Sequence, residues 1–538
     1  MGCVVSSSNN KGIINIDEEK LKKRVIQQTN SDIRKNYEFI SMLGHGQFGK
    51  VRLYRDKNNK DLLFAIKTLK KKGISAFKFN LLKSEVSILS DLDHPNIVKY
   101  FGTFEDDYYI HILMEYLKGY DLDKIINLKK YTGFSEKDMA RIIEQLLKAL
   151  AFIHSKQIVH RDIKPENILF SNKKDYSTLK LIDFGLATTK RDKKSVGTPF
   201  YMAPEMISGD SCPKSDIWSV GIIVYLMLTG KHPFEIEQNQ EEKNIDNEKY
   251  FLVDKEKKGD SEKNPLFEKI KNENYDKQIL NELECSDDVK KFIENCLAKP
   301  TDKRYDTTQC LNHDWITKNS IKNDSNQITN EITITLMDFI KKTVLQKEIY
   351  YFIAKVSNEN ELVTIKNYFN QIDRNNTGTL SYEEICFWFQ EKGFKISDNE
   401  IKMIWDGLDF HKDGKVNYSE FLAAMISSPN FEKEKKLSSV FNLFKGSKKN
   451  KSYITYDSMI NAIKPLNLNI DENELKKCFR EFDEEISIED FKKIIMDEEE
   501  KEFLKDITKD VKNNINQKDG NNSLLLKQNV KKKKKYFK

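Results

Sequence analysis

The sequence predicts two folded units in tandem, an α+β domain of two lobes followed by an all-α domain of helix-loop-helix repeats. Three observations lead there. From Tyr37 to Ile316 strand-like alternation gives way to mixed strand and helix patterns. Beyond residue 361, helical patterns are separated by acid-rich loops as far as residue 500. A chain of 538 residues is also too long for one hydrophobic core.

Taken in order, residues 1–36 form a polar variable segment, 37–316 the first domain, 317–360 a junction, 361–500 the helical domain and 501–538 a basic tail. Within the first domain, Glu235 to Asn264 is rich in Glu, Lys and Asn, and reads as a solvated insertion without a functional element. Composition restricts the function classes. A hydrophobic fraction of 38% can build cores, whereas a net charge of +6 over this length gives no electrostatic footprint for nucleic acid. The cysteines at 3, 212, 285, 296, 310, 386 and 478 are scattered, so neither a zinc site nor a disulfide framework is expected, and a reducing cytosol fits. No apolar run reaches the roughly 18 residues of a membrane helix, and no secretory leader is read at the N-terminus.

Membrane contact is expected through the opening residues. Met1-Gly2-Cys3-Val4-Val5-Ser6 fits M-G-x-x-x-[ST], offering Gly2 for myristoylation and Cys3 for palmitoylation. Two acyl chains anchor where one barely holds, which places the protein on the cytoplasmic face of a membrane with a cytosolic pool. The run Lys531 to Lys535 is an ordinary solvated charge run or a second attraction to anionic lipid.

The first domain carries a glycine-rich turn, Gly44-His45-Gly46-Gln47-Phe48-Gly49-Lys50-Val51, between two predicted strands. Missing side chains there let backbone N–H groups approach phosphate oxygens. In Phe64-Ala65-Ile66-Lys67 a strand lysine supplies positive charge beside them. Glu85 shares a helical face with Leu82, Val86 and Leu89, where a carboxylate is costly unless paired, and Lys67 is its natural partner. His160-Arg161-Asp162-Ile163-Lys164-Pro165-Glu166-Asn167, then Asp183-Phe184-Gly185 and Ala203-Pro204-Glu205, complete an ordered set, extended by Asp216 to Gly221 and Arg304.

Over residues 37–316 this order and spacing resemble the eukaryotic protein kinase family, which implies the bilobal α+β protein kinase fold. The resemblance implies ATP and Mg2+ as requirements, with Asp162 orienting and deprotonating the substrate hydroxyl, Lys164 steadying the γ-phosphate, and Asn167 with Asp183 holding magnesium. It implies ATP-binding residues Leu43, Gly44, Gly46, Gly49, Val51, Ala65, Lys67 and Glu85. Backbone contacts are implied at Glu115 and Leu117 after the gatekeeper Met114, with Asp121 near the ribose. Lys164 after Asp162, and Gly197-Thr198-Pro199-Phe200-Tyr201, look like the serine/threonine branch. Glu166 and Asp121 sit where related kinases bind basic residues upstream of the acceptor. Relatives often carry an acidic residue three before Gly197, and Lys194 stands there instead, which leaves the need for phosphorylation at Ser195 or Thr198 open.

In the second domain, Asp373 to Glu384 fits a twelve-position calcium loop, with Asp373, Asn375, Thr377, Thr379 and Glu384 as ligands and Gly378 at the turn. A second loop begins 36 residues later with Asp409, His411, Asp413, Lys415 and Glu420 in ligand register. The His411 imidazole stands where oxygen is usual, which weakens that site or brings water into it. Leu362, Ile365 and Phe369 enter the first loop, and Ile385, Trp388 and Phe389 leave it. Two further hands read as degenerate, since Lys445 to Ser458 lacks acidic ligands and Asp483 to Asp490 is too short.

The junction carries a helical pattern around Leu336 to Ala354, with Leu336, Phe339, Ile340 and Val344 on one face beside Lys341, Lys342 and Lys347. Kinase, junction and EF-hands in this order resemble the calcium-dependent protein kinases of plants and protists. That resemblance implies an intramolecular kinase/EF-hand contact, protein Ser/Thr substrates with upstream basic residues, no nucleic acid, and activity switched on by Ca2+. Two rivals remain at this level, a membrane scaffold with a silent kinase fold and a constitutive kinase with structural EF-hands.

Overall fold

The computed structural model describes residues 28–29 and 33–496, except 36, 47–48, 58–59, 61, 73–75, 130–132, 174–175, 177, 190–194, 235–250, 253–263, 321–328, 358–360, 395, 429–433, 446–452 and 464–469. Gly2, Cys3, Lys194, most of the 235–264 insertion and the 501–538 tail therefore lie outside the described residues.

The first lobe is a six-stranded sheet in the order β1 (Gln28–Thr29), β5 (Tyr100–Glu105), β6 (Tyr109–Glu115), β4 (Leu63–Lys70), β3 (Gly49–Asp56), β2 (Tyr37–Gly46). Only β1 runs parallel to its neighbour. Tyr37, Phe64, Ile66 and Phe104 fill one face of the sheet. Helix α1 (Ala76–Ser90) packs its Leu82, Val86 and Leu89 stripe into the main core. Glu85 lies on that buried stripe and is carried inward with it.

The second lobe is helical. α2 (Glu136–Ser155) starts at Ser135, whose hydroxyl accepts from Asp138 N, and buries Ile142, Ile143, Leu146, Leu147, Leu150 and Ile153. α3 (Pro213–Thr229) is apolar nearly all round and correspondingly central. Between them β7 (Ile168–Phe170) and β8 (Leu179–Leu181) form a short ladder flanked by the loops bearing Asp162 and Asp183. The insertion departs from its expected character, since β10 (Phe251–Leu252) pairs antiparallel with β9 (Val196–Gly197) beside Thr198. Cys296 and Cys310, scattered in sequence, meet in the core at 3.8 Å as free thiols.

The junction is two helices, not one. α4 (Thr329–Ile340) ends before α5 (Val344–Val356), because Thr343 accepts from Gln346 N while the Gln346 side chain accepts from Thr343 N. This capping box starts a new helix axis, which the apolar spacing alone conceals. Both helices bury their apolar faces, Leu336 and Phe339 from α4 and Ile349, Tyr350 and Ile353 from α5, in the core of the helical domain.

That domain pairs α6 (Val363–Ile372) and α7 (Tyr382–Glu391) with α8 (Asp398–Leu408) and α9 (Tyr418–Ile426). Strands β11 (Thr379–Leu380) and β12 (Val416–Asn417) zip the two loops together. The degenerate half keeps the same plan. α10 (Glu434–Lys445), α11 (Tyr456–Ile463), α12 (Glu472–Arg480) and α13 (Ile488–Met496) are joined by β13 (Ile454–Thr455) and β14 (Glu485–Ile486).

Arg304 anchors the second lobe. Fully buried, its guanidinium bonds Glu205 at 2.6 and 3.0 Å and the carbonyls of Lys214, Ala298 and Lys299. Arg304→Ala leaves Glu205 uncompensated and is expected to destabilise this lobe by about 3 to 5 kcal/mol. The check is a urea melt followed by lobe tryptophan fluorescence; a midpoint unchanged from the parent chain rules the assignment out.

Candidate active site and calcium loops

Strand pairing sets the upper half of the cleft. Gly44 faces Val51, Val51 faces Lys67, and Ala65 faces Met114, so the glycine-rich hairpin, the lysine strand and the Met114 strand stand in one register. Leu43 remains exposed at the mouth, and Leu117 is buried just past β6. The Glu115 side chain turns away to accept from Lys99 N and from Lys180 Nζ. Asp121 Oδ1 accepts from Lys124 N at the start of the following helix.

Lys67 Nζ lies 2.6 Å from Glu85 Oε1 and 2.9 Å from Asp183 Oδ1. Burial opposes charge here, yet the Asp183 and Glu85 carboxylates keep the ammonium firmly protonated. Burial pushes the Glu85 carboxyl up, whereas Lys67 overcomes burial and holds Asp183 below the usual carboxylate range. The triad thus joins α1, β4 and the Asp183 loop through charge.

Below, Asp162 and Asn167 converge. Asn167 Nδ2 donates to Asp162 O at 2.8 Å and Oδ2 at 3.0 Å. Asp162 Oδ1 accepts from Thr198 Oγ1 at 2.6 Å, and Lys164 Nζ lies 2.9 Å from the same hydroxyl. Asp216 supports this loop from beneath, accepting from His160 N, Arg161 N and His154 Nε2. Arg161 and Asp183 both adopt positive φ, 66° and 59°, local strain that the surrounding bonds must hold. Asp183 and Asn167 both carry side-chain oxygens of the hard type that magnesium prefers. Glu166 is exposed at the rim. Thr198 is buried in the Asp162 network, in contrast to the exposed hydroxyl a phosphorylation site needs, and Ser195, though a half-buried residue, also has its hydroxyl oxygen turned inward.

In the first calcium loop, Asp373 accepts from Thr377 N and Gly378 N at 2.9 Å, and Glu384 accepts from Asn375 N and Ser381 N. Burial, reinforced by the Glu384 charge, pushes the Asp373 carboxyl up to about 7. Buried carboxylates facing one loop centre, joined by the oxygens of Asn375, Thr377 and Thr379, suit a hard divalent cation. The second loop repeats the backbone frame, with Asp409 accepting from Asp413 N and Gly414 N. Its His411 ring is bonded at both nitrogens, to Glu420 at 2.7 Å and to Glu348 at 3.2 Å.

The EF-hand module rests on the kinase, through residues that single-residue motifs do not flag. Ser419 N and Oγ donate to Asp93, in the loop between α1 and β5, at 3.0 and 2.8 Å. Gly378, at φ 71°, lies so close that an added Cβ would come within 2.5 Å of His94 and 2.6 Å of Phe152. Lys99 Nζ reaches the Ala354 and Ser357 carbonyls at the end of α5.

A cleft with a lysine paired to two largely buried carboxylates above and a bonded Asp162–Asn167 pair below, on two such lobes, is that of a protein kinase. Residues 37–316 match the family described as Protein kinase domain, and residues 363–426 match the EF-hand domain pair. The chain is 30% identical over 444 residues to Calcium-dependent protein kinase 7 of Arabidopsis thaliana, covering 81% of this chain and 77% of that one. It is 30% identical over 476 residues to Calcium-dependent protein kinase 22 of the same plant, covering 87% and 91%. It is 31% identical over 460 residues to Calcium-dependent protein kinase 5 of Plasmodium berghei, covering 83% and 75%. The chain belongs to the calcium-dependent protein kinase family and is a serine/threonine protein kinase.

Thr198→Val deletes the hydroxyl held between Asp162 and Lys164 while keeping its shape. We expect kcat to fall by roughly 10- to 100-fold with KM for ATP unchanged. A parent-like kcat in steady-state assays removes Thr198 from the positioning network.

Proposed function

We propose that this kinase transfers the ATP γ-phosphate to serine or threonine hydroxyls of proteins when calcium fills the Asp373 to Glu384 loop. The observation that carries the reading is the contact of that loop's Gly378 with His94, just beyond the helix that presents Glu85, and with Phe152 of α2. In this reading Lys67 holds the α- and β-phosphates beneath the Gly44 to Gly49 turn, and Asp162 orients the acceptor hydroxyl and takes its proton. Lys164 balances charge on the transferring group. Asn167 and Asp183 would hold magnesium, which supplies neutralisation of the phosphate oxygens when bound. Adenine lies between Leu43, Val51 and Ala65 above and Leu117 beside it.

Calcium acts through differential binding to two states of the module. In the arrangement seen, α4 and α5 are buried in the EF-hand core and the module braces the loop after α1. With that brace in place, Glu85 stays on Lys67. Without calcium the module loosens its grip on the junction, and the kinase passes to a blocked state.

Glu166 at the cleft rim favours substrates with basic residues upstream of the acceptor, through charge complementarity. Acylation at Gly2 and Cys3 would hold the enzyme at the cytoplasmic face of a membrane, with an unanchored pool in the cytosol. No helix among the described residues is long and apolar enough to cross a membrane, so contact through acyl chains suffices for this reading.

Phosphate transfer to a basic serine peptide tests the switch, with Asp162→Asn as the blank. Activity should drop by roughly tenfold or more on chelation, and Glu384→Gln should mimic chelation. Equal rates with calcium and chelator would reduce the EF-hands to structural parts, and no transfer above the blank would favour a silent scaffold. For the anchor, Gly2→Ala should move the expressed protein from the membrane pellet to the supernatant, and a variant that still pellets with membranes refutes acylation at that residue.

A further inference from the structure

The insertion joins α3 to the helix Pro265–Asn272, and the residues at both of its roots rest on the segment that follows Thr198. On the near side, His232 Nε2 donates to Phe200 O at 2.7 Å, and the ring packs edge-on against Phe200 at 5.1 Å. Phe234, buried, stacks on Trp218 of α3. On the far side, the Asn264 side chain accepts from Leu266 N and opens the helix Pro265–Asn272, which packs against Pro199–Tyr201 and Pro204–Ile207.

Between these roots, β10 pairs with β9 in a sheet of two antiparallel strands, Phe251 opposite Gly197 and Leu252 opposite Val196. Gly197 is closed off on the side of the Asp162 loop, where an added Cβ would come within 2.9 Å of Arg161 O. The next residue, Thr198, bonds Asp162 Oδ1 at 2.6 Å. An acceptor peptide brought to Asp162 must therefore run beside β9, and a strand edge offers an extended peptide its backbone partners. β10 already takes those partners. From Glu235 to Asp260 the sequence holds no serine or threonine, so the occupant has no hydroxyl of the kind this enzyme phosphorylates.

We infer that β10 is a built-in competitor for peptide substrates: it fills the β9 edge by strand addition, and a protein substrate must displace it to reach Asp162. The inference rests on the reading of Asp162 as the base of phosphate transfer. Two residue pairs make a weak ladder by themselves, since each hydrogen bond gains little net of water. Fastening at His232, Phe234 and Asn264 raises the local concentration of the strand, so the edge is filled yet can still be opened. Substrate then binds only the fraction of enzyme whose edge is open, which raises the apparent KM for peptide and leaves the nucleotide site as it is.

Steady-state phosphorylation of a basic serine peptide by the full-length chain, at saturating calcium, tests this. Adjacent residues of an antiparallel strand alternate in donating to the partner, so Phe251→Pro and Leu252→Pro are made together to remove the donor whichever it is. The expected result is a KM for peptide lower by about five- to tenfold, with KM for ATP unchanged. A second variant, in which residues 236–262 become a Gly/Ser linker of equal length, should show the same fall and decides the matter if the two disagree. A synthetic peptide of residues 248–255 should then inhibit the linker variant in competition with the substrate peptide. An unchanged peptide KM in the linker variant overturns the inference, and so does a raised one, because the strand would then help to hold substrate. Anisotropy of the labelled substrate peptide reads the same shift in binding without turnover, which separates this inference from a failure of the Asp162 reading. Equal parent rates in calcium and chelator would refute the calcium switch and leave the comparison of peptide KM values intact.

Discussion

The ammonium of Lys67, shared between Glu85 and Asp183, is the interaction on which the rest of the catalytic half depends. It is the point where the sheet, helix α1 and the Asp183 loop meet, and all three partners are largely withdrawn from water. Breaking such a buried set by removing one member is far more costly than the set is stabilising, because a bare charge is left behind. The arrangement is therefore close to all-or-none. Any influence that moves α1 by an ångström or two strains this ion set, and the loop that follows α1 is where the EF-hand module makes contacts through Asp93 and His94.

Much of this was legible in the residue order, for definite physical reasons. Glu85 was readable because a carboxylate on an apolar helical stripe demands a partner. The first EF-hand loop was readable because oxygen-bearing residues at alternating positions with a central glycine serve few other purposes, and the match to the EF-hand domain pair covers it. Helix-loop-helix packing was readable from Phe369, Ile385 and Trp388, which are all buried. What stayed hidden depends on tertiary contact. Nothing local marks Ser419 as the partner of Asp93, or Glu348 as the partner of His411, since the members of each pair are remote in sequence.

Two readings needed revision, and both concern short-range competition between structures. The junction looked like one amphipathic helix because apolar spacing continues through it, yet the Thr343–Gln346 capping box starts a second axis. The polar insertion looked wholly solvated, yet Phe251 and Leu252 find the unpaired edge beside Gly197. In each case a few backbone hydrogen bonds decided against the broader compositional trend.

Gly378 answers to two masters. As sixth residue of its loop it must take a left-handed turn that disfavours any side chain, and as the point of closest approach to the kinase it has no room for one. These demands arise from different parts of the protein yet fall on the same missing atom. A drifting sequence therefore cannot weaken the docking of the two halves by a graded series of small replacements here; the first step already disturbs the ion loop as well. The seam between sensor and enzyme is buffered against gradual divergence at the very spot where the two functions touch.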